Sequence, residues 1–391
     1  MHAIRAHGPI SRAELGKTIA LSKPPVNEVV EGLLVEDTVL ETAANGADRP
    51  LRPGRRARLL RFRADFGHVL GIDIGANKLL VVVADLNGDV VAWQRRPVRA
   101  RERADAAALL RHVQAAATTA LAAAGTGRSL LQAVGFGTPG SVDPATGRLS
   151  LAPQLGGWES LPLGRRLQRS FPCPVLVENE VHLSAWPCAG WAQRRESTTR
   201  SSSRPATGSA AVCSWAGGCA GARTALREIG YLPLTEDWSK RDGLGPFDHA
   251  AGGNAYARHG RRAAAVPGGE RLLELAGSDS DAIDAEVVFA AAAENNAAAL
   301  GTIDTLVRRL ARGIAAAAVA VDPQKVIVGG GLSRAGKPLL RPLERVLADL
   351  VPIPPQVVLS ALGEEAVARG AVRLVVQTVE NRLFGIAAEA V

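Results

Sequence analysis

Glu178, Asn179 and Glu180 stand together inside "VLVENEVHLSAW" (175–186). Two carboxylates flanking an amide could move a proton to or from a hydroxyl, grip a ligand's hydroxyls in pairs, or simply face water. Val175-Leu176-Val177 reads as a strand, and the residues after Glu180 open an apolar-striped helix. The trio is therefore delivered to a strand-to-helix corner. Functional groups in α/β folds gather at such carboxyl ends of strands. The residues alone leave three readings open: Glu180 as a general base for phosphoryl transfer, as a ligand-holding group, or as an ordinary carboxylate.

The elements that must position this corner follow from the patterning around it. From Val69, "VLGIDIG" and "KLLVVVADLNGDVVAWQRR" give a strand, a Gly-rich turn, a second strand, an Asn87-Gly88 hairpin signal and a third strand. A helix follows over about 104–125, then the strand "AVGFG" and the loop "TPGSVDPATG". A strand meander followed by alternating helices and strands points to a mixed α/β lobe. Residues 192–210 form a polar Ser/Arg/Thr-rich break. Beyond it "AAVCSWAGGCAGA", "REIGYLPL", a helical stretch over about 284–319, the strand "KVIVGGG" and a terminal strand and long helix make a second lobe.

Bulk composition narrows the class. At 391 residues, two or three folding units are expected. Hydrophobic content of 47% with 21% charged excludes wholesale disorder. The net charge of +8 rests almost wholly on Arg, with only six Lys, so a basic patch has to be found locally. Cys173, Cys188, Cys213 and Cys219 lack C-x-x-C spacing and read as reduced thiols. The longest apolar runs, such as 313–321, fall far short of the roughly 20 residues of a membrane span. A soluble, cytoplasmic protein is expected.

Residues 1–63 differ in texture. After an abbreviated first helix (His2–His7), Ser11 caps a second, with Glu14 at the capping-box position, running to about Ile19. Ser22 caps a third, whose first turn tolerates Pro24 and Pro25. Val26, Val29, Val30, Leu33 and Leu34 form its expected buried stripe. Two short helices joined by a tight turn, then the β-prone "TVLET", describe a winged helix-turn-helix. Seven Arg between 49 and 63, with no acid, suit a basic wing or linker.

Read in order, "GPISRAEL", "LSKPPV", "GIDIGANK" (71–78), "GTPGSVDPATGRL" (137–149), "PQLGGW" (153–158), "ENEVHL", "EIGYLPL" (228–234), "VIVGGGLSRAG" (326–336) and "LGEEAVARGA" (362–371) resemble the ROK family of repressors and sugar kinases, specifically its regulator branch. The resemblance implies an α/β fold with a two-lobed, actin-like ATPase (RNase H-like) core behind an N-terminal winged helix-turn-helix. The implied division is a head over 1–63, a first lobe over 68–188 with the terminal helix (about 365–391) packing back on it, and a second lobe over 189–364. Regulators of this family typically form homodimers or homotetramers.

The same resemblance assigns tasks to single residues. The related kinases use the Asp of an Asn-Asp pair as base; here the pair is Asn179-Glu180, one methylene longer, and a shift of roughly 1 Å is enough to cost about 100-fold. The phosphate-binding turns are altered too: Ala76-Asn77 replaces the usual Gly-Thr, and "SWAGGCAG" (214–221) replaces Gly-Thr-Gly. No catalytic residue, no cofactor and no metal are therefore expected. For zinc, Tyr231 stands at the His position and 232–253 contains no cysteine. Gln154, Asn179, Glu180, Glu228, Tyr231 and Asp248 are the implied contacts to a carbohydrate or related effector. In the head, Ser11, Arg12 and Ser22 are placed to touch phosphate at helix N-termini. Lys23, Pro25 and Asn27 project from the start of the recognition helix. Arg49, Arg52 and Arg55 supply basic wing contacts to double-stranded operator DNA. The expected protein is a DNA-binding transcriptional regulator, a repressor, with a degenerate sugar-kinase core. The alternatives are an active ATP-dependent sugar kinase and a ligand-independent DNA-binding regulator.

Overall fold

Leu79 to Ala84 is apolar at every position, as a strand covered on both faces must be. The computed structural model describes residues 1–43, 58–75, 77–143, 146–150, 152, 155–159, 161–184, 211–214, 230, 232–233, 245–323, 325–329 and 331–384. In chain order the first lobe contains β4 (His68–Ile74), β5 (Lys78–Asp85), β6 (Val90–Pro97), α4 (Ala100–Ala104), α5 (Ala106–Ala123), β7 (Leu131–Thr138), the hairpin β8 (Ser141–Val142) and β9 (Leu149–Ser150), α6 (Leu163–Ser170) and β10 (Val175–Asn179). Its five-stranded sheet has the order β10-β7-β4-β5-β6. β4, β7 and β10 run parallel, while β4, β5 and β6 form the antiparallel meander read from the sequence. The turn between β5 and β6 puts Gly88 at φ +84°, a conformation that favours glycine.

The sheet is covered twice. Ile72, Val81 and Phe136 pack with Leu109 and Val113 of α5, Leu163 and Leu167 of α6, and Trp158. The opposite face packs on the long terminal helix, α13 (Ala366–Phe384). That helix lies so close that a methyl group at Gly71 would stand 2.1 Å from Ala368 O, and one at Gly135 2.4 Å from Ala371 O. Only glycine admits this approach.

The second lobe holds β11 (Ala211–Ser214), α7 (Pro246–Ala251), α8 (Gly253–Ala264), α9 (Glu270–Leu275), α10 (Ala285–Ala293), α11 (Ala297–Val321), β12 (Lys325–Val328), α12 (Lys337–Leu350) and β13 (Gln356–Leu359). Its sheet has the order β11-β12-β13, and Phe247, Tyr256, Leu310, Ile314 and Val326 share one core. The helical stretch expected over 284–319 is two helices, a correction with a local cause. Asn295 takes φ +62°, and Asn296 caps α11 by accepting from Ala299 N at 3.0 Å. Asn tolerates the left-handed region and caps well, so the pair ends one helix and starts the next.

The N-terminal residues form α1 (His2–His7), β1 (Ile10–Ser11), α2 (Arg12–Thr18), α3 (Lys23–Val35), β2 (Val39–Ala43) and β3 (Arg58–Phe62), with an antiparallel sheet ordered β1-β3-β2. The Ser11–Glu14 capping box is present in full. Ser22 has N-cap backbone geometry, but its hydroxyl makes no capping bond. The reason is chemical: the second and third helical positions are Pro24 and Pro25, which have no N–H to offer. A second correction concerns the stripe. Val26 and Val30 are buried, but Val29 is 56% exposed, because it lines an open apolar groove with Met1, Leu15, Ile19 and Leu383. The head is not separate from the rest: Ile4, Val30 and Leu60 belong to one apolar cluster with Val69 and Val82 of the first sheet and Val375, Val376 and Val379 of α13.

Candidate functional site

Three parallel strands end side by side, and their register decides which groups meet. Asp73 of β4 and Glu178 of β10 both pair with Gly137 of β7, so the three lie in line across the sheet. Two strand spacings separate the backbones of Asp73 and Glu178, about 10 Å. Gly137 between them has room for no side chain: a methyl there would stand 2.5 Å from Val367 and 2.9 Å from Leu183.

Asp73 is almost completely buried and faces Lys78 from the next strand, Oδ2 to Nζ 2.8 Å. The same ammonium donates to Glu364 O at 2.8 Å, tying the β4–β5 hairpin to the turn before α13. The Glu364 carboxylate is itself buried, with Arg95 Nε 3.4 Å from its Oε2. Neither Lys78 nor Glu364 was singled out from the sequence; the signal was the five-residue spacing across "DIGANK", which a hairpin register turns into a contact.

On the other side of the sheet, Trp158 is fully buried and its indole N–H donates to Thr138 Oγ1 at 3.1 Å. This bond fixes Trp158 to the end of β7. Asn179 then secures the neighbouring loop. Its Nδ2 donates to Gly140 O at 2.7 Å, while its Oδ1 accepts from Val181 N (2.7 Å) and His182 N (3.2 Å). Asn179, one of the effector candidates, is buried and caps the helical turn over 180–184. Glu178 is occupied too, accepting from Asn179 N at 2.7 Å and lying 3.2 Å from His182 Nδ1. Glu180 is half-buried at the first position of that turn.

Asp248, in α7, is half-buried, and a methyl at Gly230 would stand 2.4 Å from its Oδ2. Gly230 therefore lies against α7. Gln154, Glu228 and Tyr231 lie outside the described residues, so Asn179, Glu180 and Asp248 are the effector candidates the structure describes. Among the described residues no group of three His, Cys, Asp or Glu is arranged to hold a metal ion, and no helix is long and apolar enough to cross a membrane.

In the head, Lys23 is exposed at the start of α3 and Pro25 and Asn27 are half-buried beside it. Ser22 is exposed with its hydroxyl unspent on capping. Ser11 and Arg12 both have partners within the head. The Ser11 hydroxyl donates to Glu14 Oε2 at 2.8 Å, and Arg12 bonds Glu31 (2.8 Å) and Glu41 (3.1 Å). Burial by itself would lower the Arg12 guanidinium, but these two carboxylates hold it above its ordinary value. Arg58 also pairs with Glu41, at 2.9 Å, and Arg63 pairs with Asp37 and Asp65. Much of the Arg content within the described part of the head is thus neutralised internally. Arg49, Arg52 and Arg55 lie outside the described residues.

Polar groups collected at the ends of three parallel strands, on a mixed sheet backed by a C-terminal helix and joined to a second α/β lobe, define an actin-like ATPase or sugar-kinase fold. The chain belongs to the ROK family, whose model matches residues 69–378. It is similar to the xylose repressor of Caldicellulosiruptor bescii, 28% identical over 176 residues that make up 45% of this chain and 42% of that one. The chain thus spans less than half the length of the curated repressors it matches first. It is also similar to a glucokinase of Streptomyces coelicolor, 27% identical over 303 residues, 71% of this chain and 86% of the enzyme. Among solved structures, a ROK family transcriptional regulator described as a homolog of the E. coli MLC protein superposes with TM-score 0.66 at 21% identity, covering 98% of this chain and 96% of its own. A ROK family glucokinase from Streptomyces griseus, in complex with glucose and AMPPNP, superposes with TM-score 0.64 at 24% identity, covering 79% of this chain and 99% of its own.

Proposed function

We propose that the protein is a DNA-binding transcriptional regulator, a repressor, whose ROK core senses a carbohydrate or related polyol instead of phosphorylating it. One observation carries the reading: the glucokinase fold accounts for 79% of the chain, whereas the regulator fold accounts for 98%. The head lies outside the family match at 69–378, and the order of its three helices and β1-β3-β2 sheet supports a winged helix-turn-helix. In this reading α3 enters the major groove, Lys23 and Asn27 meet base edges, and the exposed Ser22 hydroxyl meets a phosphate oxygen. Arg49, Arg52 and Arg55 add sequence-independent contacts. Two heads of a homodimer, or of a tetramer built from such dimers, would read a two-fold symmetric operator. Ligand would act by binding one arrangement of the heads more tightly than another.

Mobility-shift and footprinting assays on DNA flanking the gene test the reading. Lys23→Ala with Asn27→Ala is expected to weaken sequence-specific binding about tenfold or more, since each good base contact contributes roughly 1–3 kcal/mol of discrimination. Unchanged binding would remove α3 as the reader. A thermal-shift screen with D-xylose, D-glucose and their phosphates tests the sensor; no shift with any of them points to a ligand-independent regulator.

The kinase reading is favoured by the glucokinase match over 86% of that enzyme's length. Against it, Glu180 replaces the Asp that the resemblance implies as base, and Ala76-Asn77 replaces the Gly-Thr of the phosphate-binding turn. ATP-dependent phosphorylation of glucose or xylose in a coupled assay would establish it; no turnover is expected.

A further inference from the structure

α13 touches both ends of the molecule's proposed switch. Near its start, Gly370 packs against the backbone of the turn that carries Glu180 and His182: a methyl on Gly370 would stand 1.8 Å from Leu183 O and 2.6 Å from its carbonyl carbon. Just before the helix, Glu364 O holds the Lys78 ammonium. Backbone packed on backbone has no rotamer with which to absorb a displacement, so motion of the 180–184 turn has to be passed on.

Near its other end the helix is fastened to the head. Glu380 forms an ion pair with Arg5 of α1, and Arg373 lies 3.7 Å away on the same carboxylate. Arg5 also donates to Leu86 O at 3.0 Å and stacks over Phe62 with 5.7 Å to the ring centroid. Ten residues separate Gly370 from Glu380, about 15 Å of continuous helix. Val375, Val376 and Val379 between them are buried in the cluster shared with Ile4 and Leu60.

We propose that α13 is the coupling element of the protein: Gly370 takes up movement of the 180–184 turn, and Glu380 delivers it to the head through Arg5. The inference rests on the regulator reading for its purpose, but its physical content is a link between two ends of one helix. Gly370 and Glu380 are positioning residues; neither is assigned a contact to ligand or DNA.

Hydrogen exchange on the full-length chain, with no DNA and no sugar added, tests the link. Gly370→Ala is expected to raise exchange in α1 (residues 2–7) about fivefold or more, the lower end of ordinary coupling between sites. Arg5→Gln and Glu380→Gln, alone and together, are expected to raise exchange at 180–184 by a similar factor, the double variant adding nothing to either single one. Gly301→Ala, at a position with nothing within 4 Å, is expected to change neither end. Changes confined to the mutated end overturn the proposal. Should Gly370→Ala fail to fold, the Arg5 and Glu380 variants read at 180–184 decide alone. Because neither DNA nor ligand enters the measurement, a negative result leaves the regulator reading untouched, and a failed mobility shift leaves a positive one standing.

Discussion

Replacing Lys78 by Met keeps the length of the side chain and deletes the charge. In the wild-type chain the ammonium lies 2.8 Å from Asp73 Oδ2 and donates to Glu364 O at 2.8 Å. Asp73 is 1% exposed, so water cannot take over when the cation goes. Removing one partner of a buried pair typically costs about 3–5 kcal/mol, since the remaining charge is uncompensated. The orphaned Glu364 carbonyl adds to the same side. For a folding unit of this size each kcal/mol lowers the melting temperature by roughly 2–4 °C. Lys78→Met should therefore melt about 6–20 °C lower, followed by circular dichroism on the full chain. Asp73→Asn combined with Lys78→Met removes both charges and should recover most of the loss. A single variant melting within about 2 °C of wild type would mean that Asp73 is not held as an ion pair.

Thr138→Val deprives the buried Trp158 indole of its acceptor and should cost about 1–3 kcal/mol in chemical denaturation, whereas Thr138→Ser, which keeps the hydroxyl, should cost much less. Equal losses for both would assign the effect to packing alone. His259 is held below its ordinary value of 6.5 by burial first and then by Arg309, Arg262 and Arg258. The unfolded chain thus takes up this proton before the folded one, so stability should fall as pH drops below about 6.5 and level off once the folded value is passed. His259→Asn should flatten that part of a melting-temperature profile; an unaltered slope would exclude His259 as its source.

Local chemistry was legible where both partners lie within a few residues. The Ser11–Glu14 capping box, the Asn87-Gly88 turn and the delivery of Asn179 to a strand end are present as the sequence implied. The two-helix break at Asn295-Asn296 was equally local, and the Ala-rich flanks masked it. What escaped depends on distant residues. Asn179 serves Gly140, which lies 39 positions away, and Lys78 serves Glu364, 286 positions away. Arg12 stands at a helix start, where phosphate contact is the natural reading, but Glu31 and Glu41 reach it once the head folds. Residue type at a helix end suggests what a side chain can hold; burial and neighbours decide whether it is already taken.

The cluster that joins Ile4 and Leu60 to Val82 and Val375 has a bearing on dissection of the chain. A cut at residue 63, between the N-terminal head and the first lobe, would pass through the middle of a hydrophobic interior, not around it. Fragments made there would each expose a raw apolar flank, and a shortened C-terminus would strip the same flank from below. Because they share this cluster, the two parts are expected to melt together, and swapping heads between relatives should succeed only when the matching last helix travels with them.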